Sequence, residues 1–105
     1  MENVLDYKVE VSDRARQMLT THVRFLAEVN LEAADKVRAD VVAGIRSLNS
    51  MPERCPFFES DFIPPNKYHK LFIEKWYLVL FQIRNQTVYV EYIVDCRQDY
   101  GWLLR

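Results

Sequence analysis

The sequence has few glycines, prolines, cysteines and histidines, and it has no long apolar run. Two glycines and four prolines among 105 residues are too few for a disordered or low-complexity chain. No apolar run approaches the roughly 18 residues of a membrane-spanning helix, and the first residues lack the basic and then apolar pattern of a signal peptide. We therefore expect a single cytoplasmic domain over residues 1–105 that does not enter a membrane.

Cysteine and histidine each occur twice, so the chain has few of the side chains that usually bind zinc. Cys55 and Cys96 form no Cys-x-x-Cys pair, and His22 and His69 add no zinc-ligand spacing. We expect no metal and no cofactor. Two reduced thiols suit a cytoplasmic protein, although the count alone leaves a disulfide open.

Neither sign of charge dominates the chain. Fourteen basic and fifteen acidic residues give a net charge of −1. Broad electrostatic binding of nucleic acid usually needs a clear excess of Lys and Arg. Any such binding would therefore depend on a local basic patch.

The first half of the chain predicts a strand followed by two helices. Residues 7–11 alternate apolar and charged side chains, which is the period of a half-buried strand. Ser12 or Asp13 can cap a helix over residues 13–29, and Asn30 can cap a second helix that ends near residue 49. Both segments carry apolar residues three and four positions apart, so they should form an antiparallel helical hairpin. His22 lies on the apolar stripe of the first helix and is expected to be a hydrogen-bonded core histidine.

The second half predicts a loop and three strands. Residues 51–66 hold all four prolines and several phenylalanines, so this loop should pack on the body of the protein. Strands are expected over residues 67–74, 76–84 and 87–95, with a tight turn at Asn85 and Gln86. The fold class is α+β in the order β-α-α-β-β-β, with the helical hairpin on one face of a mainly antiparallel four-stranded sheet.

The predicted turn also assigns side chains to the two faces of the sheet. Uninterrupted alternation from Asn85 places Ile83 opposite Val88, Phe81 opposite Val90, and Val79 opposite Tyr92. The residues assigned to the face beneath the helices are Tyr77, Val79, Phe81, Ile83, Val88, Val90, Tyr92 and Val94. The residues assigned to the open face are Leu78, Leu80, Gln82, Tyr89, Glu91, Ile93, Asp95 and Arg97. An exposed apolar strip on that face would suit a partner segment, such as an extended strand or an amphipathic helix.

Four segments in this order resemble the RelE/ParE superfamily of toxins from bacterial type II toxin–antitoxin modules. They are KVEVS at residues 8–12, NLEAA at 30–34, YLVLFQI at 77–83 and DCRQDY at 95–100. The resemblance implies a toxin that arrests growth and a cognate antitoxin that wraps and neutralises it. RelE-like members cut messenger RNA in the ribosome without a metal, and this endoribonuclease activity is the first expectation for the chain. ParE-like members poison DNA gyrase, which is the alternative. A non-catalytic protein-binding member of the fold is the third alternative.

The resemblance also identifies candidate catalytic residues. Arg97 matches the family arginine at the end of the last strand, Tyr100 matches its C-terminal tyrosine, and Lys70 falls near its lysines on the first strand after the loop. Leu78 stands where RelE-like nucleases place an arginine.

RNA cleavage by an internal 2′-hydroxyl needs a base, a cation at the phosphate and an acid for the leaving oxygen. Arg97 and Lys70 would supply cations, and Tyr100 would donate a proton or stack on a base. The structural alternatives are a solvated arginine paired with an aspartate, an exposed strand lysine, and a tyrosine that seals the core. His69 is adjacent to Lys70 in a strand, so the two should point to opposite faces.

Overall fold

The computed structural model describes residues 6–74 and 76–96, and its secondary structure follows the predicted order. Short turns of 3₁₀ helix, Ser47–Asn49 and Pro52–Arg54, follow the second helix. The strands and helices are β1 (Lys8–Val11), α1 (Asp13–Ala27), α2 (Leu31–Arg46), β2 (His69–Ile73), β3 (Tyr77–Arg84) and β4 (Thr87–Asp95).

Both helices begin at the predicted capping residues. The Ser12 hydroxyl accepts a hydrogen bond from the Ala15 backbone N–H, and the Asn30 side chain accepts one from the Ala33 N–H, each at 3.0 Å. These side chains satisfy N–H groups that have no partner within the first turn of a helix. The first helix ends at Ala27, slightly before the predicted end.

The sheet order is β1-β4-β3-β2, with β1 parallel to β4 and the other neighbours antiparallel. The helical hairpin packs on one face of this sheet, which confirms the predicted α+β class. The fully buried residues between the two layers include Ala15, Val41, Val79, Phe81, Val88, Val90 and Ile93. Burial of each large side chain contributes about 1.5–3 kcal/mol to folding.

The predicted tight turn joins β3 to β4. Asn85 and Gln86 have φ angles of 51° and 67°, the left-handed pair that a type I′ hairpin turn requires. Beside the turn, Ile83 pairs with Val88 and Phe81 with Val90, as predicted.

Farther from the turn the predicted register is wrong, because Glu91 is an extra residue in β4. Leu80 pairs with Tyr92, and Val79 pairs with Ile93 rather than with Tyr92. Such a bulge places two residues of one strand opposite one residue of its partner and reverses the alternation beyond it. Ile93 therefore packs beneath the helices, whereas Val94 joins the cluster on the opposite face.

Asp95 changes face for the same reason. It pairs with Tyr77, which lies in the core beneath the helices, and it is buried. The predicted open-face position of Arg97 depended on the same uninterrupted alternation. Arg97 itself lies outside the described residues.

The loop after the helices covers much of the face that the sequence predicts to be open. Phe58 and Ile63 pack against Leu78 and Leu80, and both leucines are fully buried. The loop is held along the outer edge of β2, where the Lys70 N–H donates to the Pro56 carbonyl at 2.9 Å. Leu78 and Leu80, which the sequence assigns to an exposed apolar strip on this face, are therefore not exposed.

Neither helix in residues 6–74 and 76–96 has the length and apolar character of a membrane span.

Candidate functional site

The candidate catalytic residues fall partly outside the described structure. Lys70 lies in β2, directly opposite Leu80 of β3, and is half-buried on the face that the loop partly covers. Arg97 and Tyr100 lie outside the described residues. The proximity of Lys70 to the other two candidates therefore stays a prediction.

His69 points away from Lys70, as predicted, and is held by packing. Its ring stacks on Phe81 with centroids 5.3 Å apart and lies 4.2 Å from the ring of Phe57. Its Nδ1 is 2.7 Å from the Cys55 carbonyl oxygen. A ring held between two phenylalanines and a backbone carbonyl serves the core rather than a reaction on the opposite face.

The cysteines are free, which agrees with the expected reduced thiols. Cys55 is buried, and its burial raises the pKa of the thiol above the ordinary value, with Arg54 opposing the shift. A buried protonated thiol is a poor nucleophile.

His22 is the hydrogen-bonded core histidine that the helical stripe predicts. Its Nε2 lies 2.9 Å from the Ile93 carbonyl oxygen, and its ring lies 6.0 Å from that of Tyr77. Strand β1 pairs with β4 only as far as Val90. Beyond Val90, the same edge of β4 is contacted by α1, because His22 lies against the Ile93 carbonyl.

A polar cluster occupies the face opposite the helices, at the bulge in β4. We use the name polar cluster for Tyr68, Gln82 and Glu91. The Tyr68 hydroxyl donates to Glu91 Oε1 at 3.2 Å, and Gln82 Nε2 donates to Glu91 Oε2 at 2.6 Å. Each carboxylate oxygen thus has its own neutral donor, which allows the charge to be half-buried.

Tyr68 is buried, and this environment favours its protonated form. Burial raises the pKa of the phenol strongly, and the neighbouring Glu91 charge raises it further. At neutral pH Tyr68 is therefore a hydrogen-bond donor. The sequence places Gln82 and Glu91 on one face, but it does not indicate that Tyr68 reaches them from the start of β2.

Arg14 brings a positive charge beside the polar cluster. Its Nη1 donates to the Tyr92 hydroxyl at 2.5 Å, and its guanidinium carbon lies 4.9 Å from the centroid of that ring. The Tyr92 and Tyr68 rings meet edge to face with centroids 5.8 Å apart. Tyr92, predicted to face the helices, is thus part of the opposite face because of the bulge.

A shallow pocket of about 410 Å³ lies next to Arg14. The residues that line it include Glu10, Ser12, Tyr89 and Glu91. Two carboxylates beside one guanidinium disfavour a phosphate at this position, because like charges repel in a partly buried site. Among the described residues, no group of three His, Cys, Asp or Glu could hold a metal ion.

Comparison with solved structures gives a match over most of the chain. A chain of the structure described as the chromosomal ParDE TA system from P. aeruginosa aligns with a TM-score of 0.72. The alignment covers 85% of this chain and 95% of that chain at 16% sequence identity. The chain has the RelE/ParE-like fold. This agreement confirms the predicted architecture, and at such low identity it concerns the fold alone.

No family model and no curated protein sequence matches the chain. Within the RelE/ParE-like fold, Leu78 of β3 stands where the resemblance places the arginine of nuclease members. Its side chain is fully buried beneath the loop. The loop therefore occupies part of the face to which the resemblance assigns the nuclease chemistry.

Proposed function

We propose that this protein is the toxin component of a type II toxin–antitoxin module, which arrests growth when its antitoxin is absent. The observation that carries the proposal is the structural match to the ParDE system over 85% of this chain and 95% of the other. The four segments that resemble RelE/ParE toxins support it independently, because they span both halves of the sequence.

The geometry of the sheet favours a ParE-type activity, the poisoning of DNA gyrase, as the first candidate. RNA cleavage would need cations around a crowded phosphate. On the described part of the relevant face, Leu78 is buried and the Glu91 carboxylate lies in the polar cluster. These features supply no phosphate-binding charge at the centre of that face.

Ribosome-dependent cleavage of messenger RNA is the second candidate. Lys70 lies on the same face as Leu80, and the sequence supplies Arg97 and Tyr100 shortly after β4. A lysine, an arginine and a tyrosine brought to one phosphate would provide two cations and a proton donor. This reading needs no metal, in keeping with the resemblance.

Controlled expression of the chain in a bacterial host tests the proposal. We expect growth to stop after induction and to resume when a small acidic protein encoded beside the gene is co-expressed. Linearised plasmid DNA and an SOS response, with intact messages, would identify gyrase as the target. Cuts in messenger RNA that follow the codon phase would identify the nuclease instead.

A folded, soluble chain that leaves growth unaffected would contradict the toxin assignment. In that case the protein would be a non-catalytic, protein-binding member of the fold. Circular dichroism of the purified chain separates this outcome from simple misfolding.

A further inference from the structure

Two half-exposed aromatic side chains lie on the open face of the sheet, opposite the helices. Phe72 of β2 pairs with Leu78 of β3, which belongs to the cluster on that face, and paired residues of neighbouring strands share a face. Trp76 directly precedes Tyr77, which lies in the core beneath the helices, so alternation assigns Trp76 to the open face. The exposed fractions are 50% for Phe72 and 49% for Trp76. We call these two residues the aromatic patch.

The loop that buries Leu78 and Leu80 does not cover the aromatic patch. Among the described residues, the backbone hydrogen bond of the loop nearest to Phe72 joins the Lys70 N–H to the Pro56 carbonyl. Phe72 is the next residue along β2 whose backbone points toward this edge, because the direction alternates along a strand. Large apolar side chains that are exposed together usually mark an interaction site.

The chain leaves the described fold beside the aromatic patch. The Cys96 N–H donates a hydrogen bond to the Trp76 carbonyl at 2.5 Å. The Cys96 side chain packs against the cluster of Leu78 and Val94 on the open face. Residues 97–105 therefore follow from a point on the open face that contacts one member of the patch.

Residues 97–105 contain apolar side chains that suit the aromatic patch. Trp102, Leu103 and Leu104 follow one another, and we call them the apolar triplet. Gly101 precedes them, and glycine adopts the positive φ angles at which a chain can reverse. Contact between the triplet and the patch would remove apolar surface of both from water, which is favourable.

The segment is long enough to make this contact. An extended chain spans about 3.3 Å per residue, so the triplet can begin as far as about 20 Å from Cys96. Phe72 lies on the second strand from β4, and strands are about 4.8 Å apart, which places it about 10 Å across the sheet. The remaining length allows a turn at Gly101.

The position of this segment favours it over other occupants of the patch. A tethered segment meets the patch at a millimolar effective concentration, whereas a second copy of the chain meets it only at its concentration in solution. Phe25, Val29 and Leu31 form another exposed apolar surface, at the tip of the helical hairpin. They belong to the layer on the other face of the sheet, whereas Cys96 lies on the open face.

We propose that residues 97–105 fold back over the open face and pack the apolar triplet against the aromatic patch of the same chain. Arg97 and Tyr100 lie between Cys96 and the triplet, so this docking would hold both of them over the open face. The docking itself does not rest on the proposed function, whereas any part that Arg97 and Tyr100 play in toxicity does.

Fluorescence of Trp102 in the full chain tests the docking. The sequence has two tryptophans, so Trp76→Phe leaves Trp102 as the reporter and keeps an aromatic ring in the patch. With an undocked minority of about 10% or less, acrylamide should quench Trp102 about tenfold less than in a free peptide of residues 97–105. Adding Phe72→Ser should restore most of the quenching. Phe25→Ser, which removes an exposed ring at the hairpin tip, is the matched control and should leave quenching low.

A second measurement uses the wild-type chain and needs no substitution. Nuclear Overhauser effects between the Trp102 indole and the Phe72 ring should appear in ¹³C,¹⁵N-labelled protein. This measurement decides the proposal if circular dichroism shows that Trp76→Phe or Phe72→Ser is unfolded.

Three results would each overturn the proposal. The first is quenching of Trp102 as strong as in the free peptide, with no Overhauser effect to Phe72 in the wild type. The second is release of Trp102 by Phe25→Ser and not by Phe72→Ser, which would place the segment at the hairpin tip. The third is protection of Trp102 that disappears on dilution, which would show that two copies exchange their segments.

Growth assays keep this proposal apart from the proposed function. A wild-type chain that fails to arrest growth overturns the toxin assignment, and the fluorescence of Trp102 still decides the docking. A toxic chain in which Trp102 is freely quenched overturns the docking alone.

Discussion

The Tyr68 hydroxyl donates a hydrogen bond to the Glu91 carboxylate at the point where β4 is irregular. Glu91 is the residue that the bulge inserts between the pairs Phe81–Val90 and Leu80–Tyr92. The bulge thus sends Ile93 beneath the helices and leaves a carboxylate on the other face, where Tyr68 and Gln82 stabilise it. The one extra residue in β4, Glu91, therefore accounts both for the change in strand register and for the polar cluster.

Removing the Tyr68 hydroxyl should destabilise the fold. Tyr68→Phe leaves one oxygen of a half-buried carboxylate without its donor, and hydrogen bonds to charged groups are worth about 1.5–3 kcal/mol. We expect a loss of about 1–3 kcal/mol in the free energy of unfolding, measured in urea at pH 7. Tyr89→Phe on the same face is the matched control. Equal stability of the two variants would contradict a structural role for this hydrogen bond.

The same substitution should change how stability depends on alkaline pH. The pKa of Tyr68 is raised from 10.0 in the folded state, first by burial and then by the Glu91 charge. Above about pH 10 the unfolded chain loses this proton first, so wild-type stability should fall as the pH rises. Tyr68→Phe lacks this contribution, and its stability should approach that of the wild type. The pKa of Tyr7 is also raised, but Tyr7 is present in both proteins.

A hydrogen bond from Tyr7 lowers the pKa of Glu53. The Tyr7 hydroxyl donates to Glu53, and this hydrogen bond holds the pKa of the Glu53 carboxyl below its ordinary value of 4.5. Tyr7→Phe should therefore raise that pKa, as measured from the side-chain carboxyl resonance during an NMR titration. Tyr89→Phe should leave the Glu53 titration unchanged. A Glu53 pKa that is the same in wild type and Tyr7→Phe would show that the contact does not form in solution.

Local signals made the helix caps and the hairpin turn predictable. Ser12 and Asn30 supply side-chain acceptors, and Asn85 tolerates a positive φ angle, so a few neighbouring residues determine each feature. The bulge, in contrast, could not be predicted from neighbouring residues. Tyr92, Ile93 and Val94 are successive and all suit a core, so alternation alone cannot decide which of them faces the helices.

The site was less predictable than the fold because it depends on contacts between distant segments. Phe58 and Ile63 bury Leu78 and Leu80, and no periodic pattern links a proline-rich loop to a particular strand face. Tyr68 reaches Glu91 only after the loop has placed it at the start of β2. Simple alternation within a single strand is enough to predict that His69 and Lys70 lie on opposite faces of β2.

Gly44 lies where α2 packs on β2, and its lack of a side chain allows this close contact. A Cβ atom at this position would lie 2.6 Å from Ile73 Cδ1 and 3.1 Å from Ile73 Cγ1. Alanine gains about 1 kcal/mol in helix propensity, but overpacking a core costs about 1–3 kcal/mol, so Gly44→Ala should destabilise by up to about 2 kcal/mol.

The companion variant Ile73→Val removes the nearest of those atoms. Gly44→Ala should therefore cost less in the Ile73→Val background than in the wild type. Urea unfolding of the two single variants and the double variant measures this coupling. Strictly additive costs would show that the helix moves away instead of pressing on Ile73.

Arg97 is the candidate whose removal separates the two proposed activities most directly. If it stabilises a phosphate in RNA cleavage, Arg97→Ala should relieve growth arrest and abolish message cutting, with Lys70→Ala and Tyr100→Phe acting in the same direction. The comparison requires that each variant remain folded, which circular dichroism checks.

Arg84→Ala, a matched loss of one arginine elsewhere, should remain toxic. Growth curves after induction, with mapping of message ends, measure both effects. A folded Arg97→Ala variant that is still fully toxic would remove Arg97 from the catalytic role. Gyrase poisoning without RNA cuts would then be the better account of the arrest.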